Sequence, residues 1–284
     1  TTTDGARTWT SENLHLPSPL GLLTCRDAAD CVGVEQSSST SPFRVTHDGG
    51  HTWLTTTAPS APNLNAISCP SARDCLVVGG YDPDRNGTGI ALASRDGGLS
   101  WHRVAAPGGA KTLQCLDPSH CWATGYLAWF TPDLGRSWRR VPVPTAFPGP
   151  SGPGLGGASF YLEGVFFTSA DEGIAFGGWR CGGQAVTQCS SGVLRTHDAG
   201  HTWKFWPEVY QSRFGHVDWG YCVDTACMVV ANTFSHSVLV TTNDGAHWDQ
   251  AQTFAGYVGL PACTPDDGTC VLLAVHGLFA DHPS

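Results

Sequence analysis

With 284 residues the chain can bury a large core, and a formal charge of −9 with only 14% charged residues leaves no electrostatic footprint for nucleic acid. No apolar run reaches the roughly 18 to 20 residues of a membrane helix. No long helical period appears, and 35 glycines and 19 prolines suit many short strands joined by turns.

One eight-residue shape punctuates the chain. It is worn at Thr2–Trp9 (TTDGARTW), clean at Thr46–Trp53 (THDGGHTW), Ser94–Trp101 (SRDGGLSW), Thr131–Trp138 (TPDLGRSW) and Thr196–Trp203 (THDAGHTW), and worn again at Thr242–Trp248 (TNDGAHW). Each part of Ser/Thr-x-Asp-x-Gly-x-Ser/Thr-Trp suits a tight hairpin. The aspartate accepts hydrogen bonds from turn N–H groups and from the Ser/Thr hydroxyl, and the glycine takes a positive φ that a Cβ would penalise. The tryptophan starts the outgoing strand and needs a neighbouring unit to bury its ring.

Between these turns lie close cysteine pairs: Cys25/Cys31, Cys69/Cys75, Cys115/Cys121, Cys181/Cys189, Cys222/Cys227 and Cys263/Cys270. Local, even pairing predicts disulfides and an oxidising compartment, and the spacings differ from zinc ribbons. Absence of a signal peptide reads as the mature form of a secreted or exported protein.

The repeats divide a single domain into units at about 10–57, 58–106, 107–142, 143–207 and 208–252, with 253–284 plus 1–9 forming a split last unit. In each, strand 1 ends near the first cysteine, strand 2 begins at the second, strand 3 runs into the aspartate turn and strand 4 follows its tryptophan. Gln36–Pro42 and Tyr81–Gly89 link strands 2 and 3 of the first two units, and Asn86 begins a glycosylation sequon. The third unit has a tight Gly125-Tyr126 connection. The fourth carries the Pro/Gly-rich loop 144–157 and a second insertion, 179–192, stapled by Cys181/Cys189, while Ser169–Gly173 stands where other units have their cysteine turn.

The repeated turn resembles the Asp-box (bacterial neuraminidase) repeat of sialidase-like β-propellers. The resemblance implies an all-β, six-bladed β-propeller of four-stranded antiparallel blades, the last closed by the N-terminal strand, and implies that Asp48, Asp96, Asp133 and Asp198 are structural and lie away from any active face. Asp-box and strand 1–2 turns would share one face, and strand 2–3 and strand 4–1 loops the other. A sialidase needs an arginine triad and a Tyr/Glu nucleophile pair, and the F/Y-R-I-P motif is missing. Arg44, Arg95 and Arg195 sit beside the turns, on the wrong face; Arg85, Arg180 and Arg213 map to the loop face. Asp171–Gly177 (DEGIAFG) is similar to blades of the photosystem assembly factor family, which implies a binding module without chemistry. The sequence leaves both readings open, enzyme and binder.

Counting four residues back from the first cysteine of each unit, or from Phe167 in the fourth, gives Gly21, Asn65, Lys111, Glu163, Asp218 and Gly259. All enter strand 1 from the loop face. Glu163 and Asp218, with His216, are the candidate catalytic groups, Lys111 biasing which carboxylate stays ionised. Lys111, Asn65, Tyr161, Trp179, Arg180, Arg213 and Arg85 are candidate substrate-binding residues. The expected ligand is a glycan or other small polar molecule bound by a monomer, with no cofactor, metal, nucleic acid or membrane span. His47/His51 and His197/His201 read as exposed turn histidines rather than ligands.

Overall fold

The structure, a computed structural model, describes residues 16, 18–35, 42–80, 89–125, 127–144, 160–179, 191–206, 216–223, 226–232, 236–242, 249–255, 258–263 and 270–274. At 160, 161, 163, 178, 179, 191–193 and from 205 onward the description is of backbone. Thr1–Thr10, Arg85, Asn86, Arg180, Arg213, the Cys181/Cys189 pair, most of the 144–157 insertion and the Asp244 turn lie outside the described residues.

The described residues form strands without a helix, so none could cross a membrane as a helix. The first sheet comprises β1 (Leu20–Cys25), β2 (Cys31–Glu35), β3 (Phe43–Thr46) and β4 (Leu54–Thr56), antiparallel in that order. The second repeats it with β5 (Leu64–Ser68), β6 (Cys75–Gly80), β7 (Gly89–Ser94) and β8 (His102–Arg103). The third has β9 (Thr112–Asp117), β10 (His120–Thr124), β11 (Ala128–Thr131) and β12 (Arg139–Val141). The fourth has β13 (Phe160–Phe167), β14 (Gly173–Trp179), β15 (Ser191–Thr196) and β16 (Lys204–Trp206). The fifth has β17 (His216–Val223), β18 (Ala226–Asn232), β19 (His236–Thr242) and β20 (Asp249–Ala255), and a last sheet pairs β21 (Val258–Cys263) with β22 (Cys270–Ala274). Among the described turn tryptophans, Trp53, Trp101, Trp138 and Trp203 each sit one residue before the fourth strand rather than within it.

Disulfides Cys25–Cys31, Cys69–Cys75 and Cys115–Cys121 close the turn between first and second strands. Cys222 opposes Cys227, and Cys263 opposes Cys270, in the same register as Cys25 and Cys31. Peptide mapping without reductant is expected to recover six local pairs, Cys181/Cys189 included; such short loops each contribute ~2 kcal/mol. Pairing between units would refute the register argument.

Sheets pack face to face, so their central strands bury both faces and read as continuous apolar runs such as Cys75–Val78. Leu22, Val34, Phe43 and Val45 of the first sheet meet Ile67, Val77, Leu92 and Trp101 of the second, with the Phe43 and Trp101 rings 4.4 Å apart. Leu76 and Ala93 of the second meet Cys121 and Leu134 of the third. Trp122, Phe130 and Val141 of the third meet Val165, Phe167 and Leu194 of the fourth.

First strands adjoin one another: β1 lies against β5, β5 against β9, β9 against β13 and β13 against β17, while β21 lies against β1. Side chains bridge these neighbours. The buried Gln114 amide in β9 donates to the Phe167 carbonyl (2.8 Å) and accepts from the Phe167 N–H (2.6 Å). Ser68 Oγ accepts from the Cys115 N–H at 3.1 Å.

Candidate functional site

The aspartate turns assign one end of the sheets to structure. Thr46 Oγ1 donates to Asp48 Oδ1 (2.8 Å) and accepts from the Gly50 N–H (3.0 Å), while the Thr52 N–H and hydroxyl donate to the two Asp48 oxygens at 2.8 and 2.6 Å. The pattern recurs around Asp96, Asp133 and Asp198. Both oxygens of each carboxylate are thus committed within the turn. The indole N–H of Trp53, Trp101 and Trp203 returns to the turn-glycine carbonyl at 3.0 Å, whereas that of Trp138 reaches Ala105 O instead.

These hydrogen bonds set the protonation of the turns. The Thr52 hydroxyl and N–H, then Thr46, hold Asp48 well below the usual carboxylate range, and the same donors from Thr202 and Thr196 lower Asp198 to about 2. At Asp96 and Asp133 partial burial pushes upward, but the Ser100 and Ser137 donors outweigh it. A carboxylate depressed in the fold stabilises above its unfolded value near 4, and that contribution is lost as protons bind. The melting temperature is therefore expected to fall as pH drops from about 4 toward 2. A flat melting profile through that window would refute the turn assignment.

The same end holds the strand 1–2 turns, since the Gly49, Gly97 and Ala199 N–H groups each donate at 2.9 Å to the carbonyls of Ala29, Arg73 and Asp171. In the fourth sheet, Thr168 N–H to Glu172 O at 2.9 Å closes the cysteine-free turn as expected. Charged partners decorate this end: His47 lies 2.6 Å from Asp30, Arg95 3.1 Å from Asp74, and Glu172 2.6 Å from His197 and 3.6 Å from Arg195. His51 and His201 donate to the Asp48 and Asp198 carbonyls, and all four turn histidines are exposed. Among the described residues no three potential ligands assemble into a metal site.

Antiparallel order puts the start of each first strand at the opposite end. There β1, β5, β13 and β17 each carry a register shift at one residue: Gly21, Asn65, Glu163 and Asp218. In β21 the shift falls between Val258 and Pro261, at Gly259-Leu260. Such a bulge takes one residue out of the ladder and re-aims the chain, a device common beside active sites. Lys111 immediately precedes β9, its N–H donating to Thr124 O at 2.6 Å. Glycine packing aligns it with Asn65: a Cβ on Gly79 would strike Asn63 O at 2.2 Å, and one on Gly125 would strike Gly109 O at 2.1 Å. The six residues picked by counting from the cysteines thus occupy equivalent positions, with Lys111 just ahead of β9 and Glu163 and Asp218 within β13 and β17, three successive adjoining strands.

Of the other candidates, Asn65 donates its amide to Ala110 O (2.8 Å) and Gly80 O (3.4 Å), tying the second and third sheets together. Tyr161 lies in β13, Trp179 ends β14 and His216 begins β17, all at the same end as Glu163. Lys111 is exposed. Arg44, expected beside the aspartate turn, instead has its Nε 2.6 Å from Glu35 Oε1, at the far half of β3. Glu35, only 5% exposed, and Gln114 were not singled out from sequence; a lone glutamate closing the apolar run Cys31–Glu35 was the available signal for the first.

No protein-family profile matches the sequence, and no curated protein matches it significantly. Solved structures do resemble it. A GH74 xyloglucanase from Xanthomonas campestris aligns over 87% of this chain and 40% of its own, at 14% identity and a TM-score of 0.55. A polysaccharide lyase of family PL25, an ulvan lyase, aligns over 84% of this chain and 71% of its own, at 11% identity and 0.53. The GH93 α-L-arabinofuranosidase of Fusarium graminearum, solved with arabinobiose, aligns over 89% of this chain and 86% of its own, at 13% identity and 0.52. The chain has the β-propeller fold of these glycosidases and lyases.

Proposed function

We propose that the chain is an exported, glycan-processing Asp-box propeller of six blades, with the N-terminal strand completing the last blade and a site in the central funnel on the loop face. The observation that carries it is that Lys111 just ahead of β9 and the bulge residues Glu163 of β13 and Asp218 of β17 hold equivalent backbone positions at one end of three adjoining first strands. Propeller neighbours that act on xyloglucan, arabinan and ulvan support the glycan class, and three disulfides support an oxidising compartment.

Glu163 and Asp218 serve as the acid and base or nucleophile of a glycoside hydrolase, Lys111 favouring the ionised form of its nearer carboxylate. His216, Lys111, Asn65, Tyr161 and Trp179 are the proposed substrate contacts, and Arg180, Arg213 and Arg85, outside the described residues, are proposed with them from the sequence. On a panel of chromogenic glycosides, Glu163→Gln and Asp218→Asn are each expected to lower kcat by at least about a hundredfold with an unchanged melting temperature. Full activity in both variants would overturn the assignment. Glycan-array binding without turnover by the native chain would make it a binding module.

A further inference from the structure

The outer strands of three successive sheets carry one sign of charge. β8 is His102-Arg103, β12 begins Arg139-Arg140 and β16 begins Lys204, each directly after its turn tryptophan, and all five residues are exposed. Arg136, in the third turn, is exposed as well. No acid lies on these strands, although the chain has 24 acidic residues against 15 lysines and arginines. Charge on an edge strand commonly prevents pairing with another chain, but that needs no single sign, and the outer strand β4 carries none.

The cations here also lack the partners that others have. Four other arginines meet carboxylates: Arg26 with Asp27 and Asp30, Arg44 with Glu35, Arg95 with Asp74, and Arg195 with Glu172. Among the described residues Arg103, Arg136, Arg139, Arg140 and Lys204 form no ion pair. The neighbouring Asp96, Asp133 and Asp198 spend both oxygens inside their own turns. Five cations thus face three carboxylates already committed. Glu208, two residues after β16, and Asp82, Asp84 and Arg85, ahead of β7, lie outside the described residues and this count.

Seams between sheets join these groups. Val104, next to Arg103, packs against Gly135, next to Arg136, where a Cβ would come within 2.9 Å, and Trp138 donates to Ala105 O at 2.9 Å. Val141, next to Arg140, meets Gly200 of the sheet that carries Lys204, where a Cβ would lie 2.8 Å away. Arg139 is held over the Phe130 ring at 4.3 Å and Arg103 by Ser60 O at 2.6 Å, which leaves guanidinium N–H groups for an oxyanion.

We propose that this belt is a second binding surface, separate from the funnel, which holds a linear acidic polysaccharide bearing carboxylate or sulfate groups. Cations repeated from sheet to sheet suit a polymer with repeated charges. Duplex DNA, with a charge every ~1.7 Å, is far denser than the belt and is repelled by a chain of formal charge −9, whereas an acidic sugar chain carries only about one charge per ring. An anionic membrane favours apolar groups that insert, and the exposed large hydrophobics among the described residues, Leu54 and Leu99, are not on these strands.

Isothermal titration of the whole chain with polygalacturonate and with dextran sulfate, set against neutral dextran, tests it. At least one acidic polymer is expected to bind, with Kd rising about tenfold or more between roughly 50 and 200 mM salt, while dextran does not bind. The double variant Arg136→Gln/Arg140→Gln is expected to weaken that binding on the order of tenfold or more at an unchanged melting temperature. The two polymers show whether carboxylate or sulfate is preferred. No binding of either at low salt, unchanged affinity in the double variant, or tighter binding of duplex DNA or phosphatidylserine vesicles overturns the inference. None of these outcomes bears on the funnel, since Arg136 and Arg140 lie outside it.

Discussion

Replacing Phe167 by alanine is expected to destabilise the fold by about 3–5 kcal/mol, the usual cost of emptying a buried aromatic site. The ring is fully buried and lies 4.0 Å from Trp122 at 10° between planes, so it joins the third and fourth sheets. It also meets Trp203 edge-on at 6.2 Å. Phe167 opposes Gly173 where other sheets place two bonded cysteines, and a Cβ on Gly173 would come within 2.8 Å of the ring. An aromatic ring laid over a glycine thus takes the place of the missing disulfide, and Gln114 holds the same residue's backbone from the neighbouring sheet. Urea unfolding followed by tryptophan fluorescence measures the loss. A cost below about 1 kcal/mol would show that the junction is held elsewhere.

Much of this architecture was legible because its signals are local. The cysteine pairs and the Ser/Thr-x-Asp-x-Gly-x-Ser/Thr-Trp turns each fix a hairpin within a few residues, so strand order followed from spacing. The position four residues before the first cysteine was legible for the same reason, although the bulge that sets Asn65, Glu163 and Asp218 apart was not. A bulge depends on how two strands count against each other, and no single strand records that. Contacts between sheets were harder still. Gln114 reads as one polar residue in a strand, and its pair of hydrogen bonds to the Phe167 backbone depends on packing across fifty-three positions. Arg44 was misplaced because its partner Glu35 lies in the adjacent strand, nine residues away. Trp138 matches the other turn tryptophans in sequence yet donates to Ala105, on the second sheet's side.

The two residues at the heart of each aspartate turn answer to different forces, and substitutions at them are expected to differ in sign. Both are left-handed, but the first accepts side chains: φ is 72° and 75° at Gly49 and Gly97, and 55° and 58° at Leu134 and Ala199. The second is glycine in all four described copies, with φ between 81° and 89°. The difference is contact with the preceding sheet. A Cβ on Gly98 would lie 3.1 Å from Val32, one on Gly135 2.9 Å from Leu76 and Val104, and one on Gly200 2.8 Å from Val141 and 3.3 Å from Trp203. Gly200 is buried, its N–H donates to Thr196 Oγ1 and its carbonyl receives the Trp203 indole, so it cannot move without breaking the turn. Gly200→Ala therefore adds a clash with the third sheet to left-handed strain, an expected cost of about 2–4 kcal/mol. Ala199→Gly relieves strain alone and is expected to stabilise by no more than about 1 kcal/mol, less what the looser unfolded chain gains in entropy. Denaturant titration of the two single variants decides the matter. If Gly200→Ala costs under about 1 kcal/mol, the turn glycine is conserving backbone conformation only and does not wedge one sheet against the next.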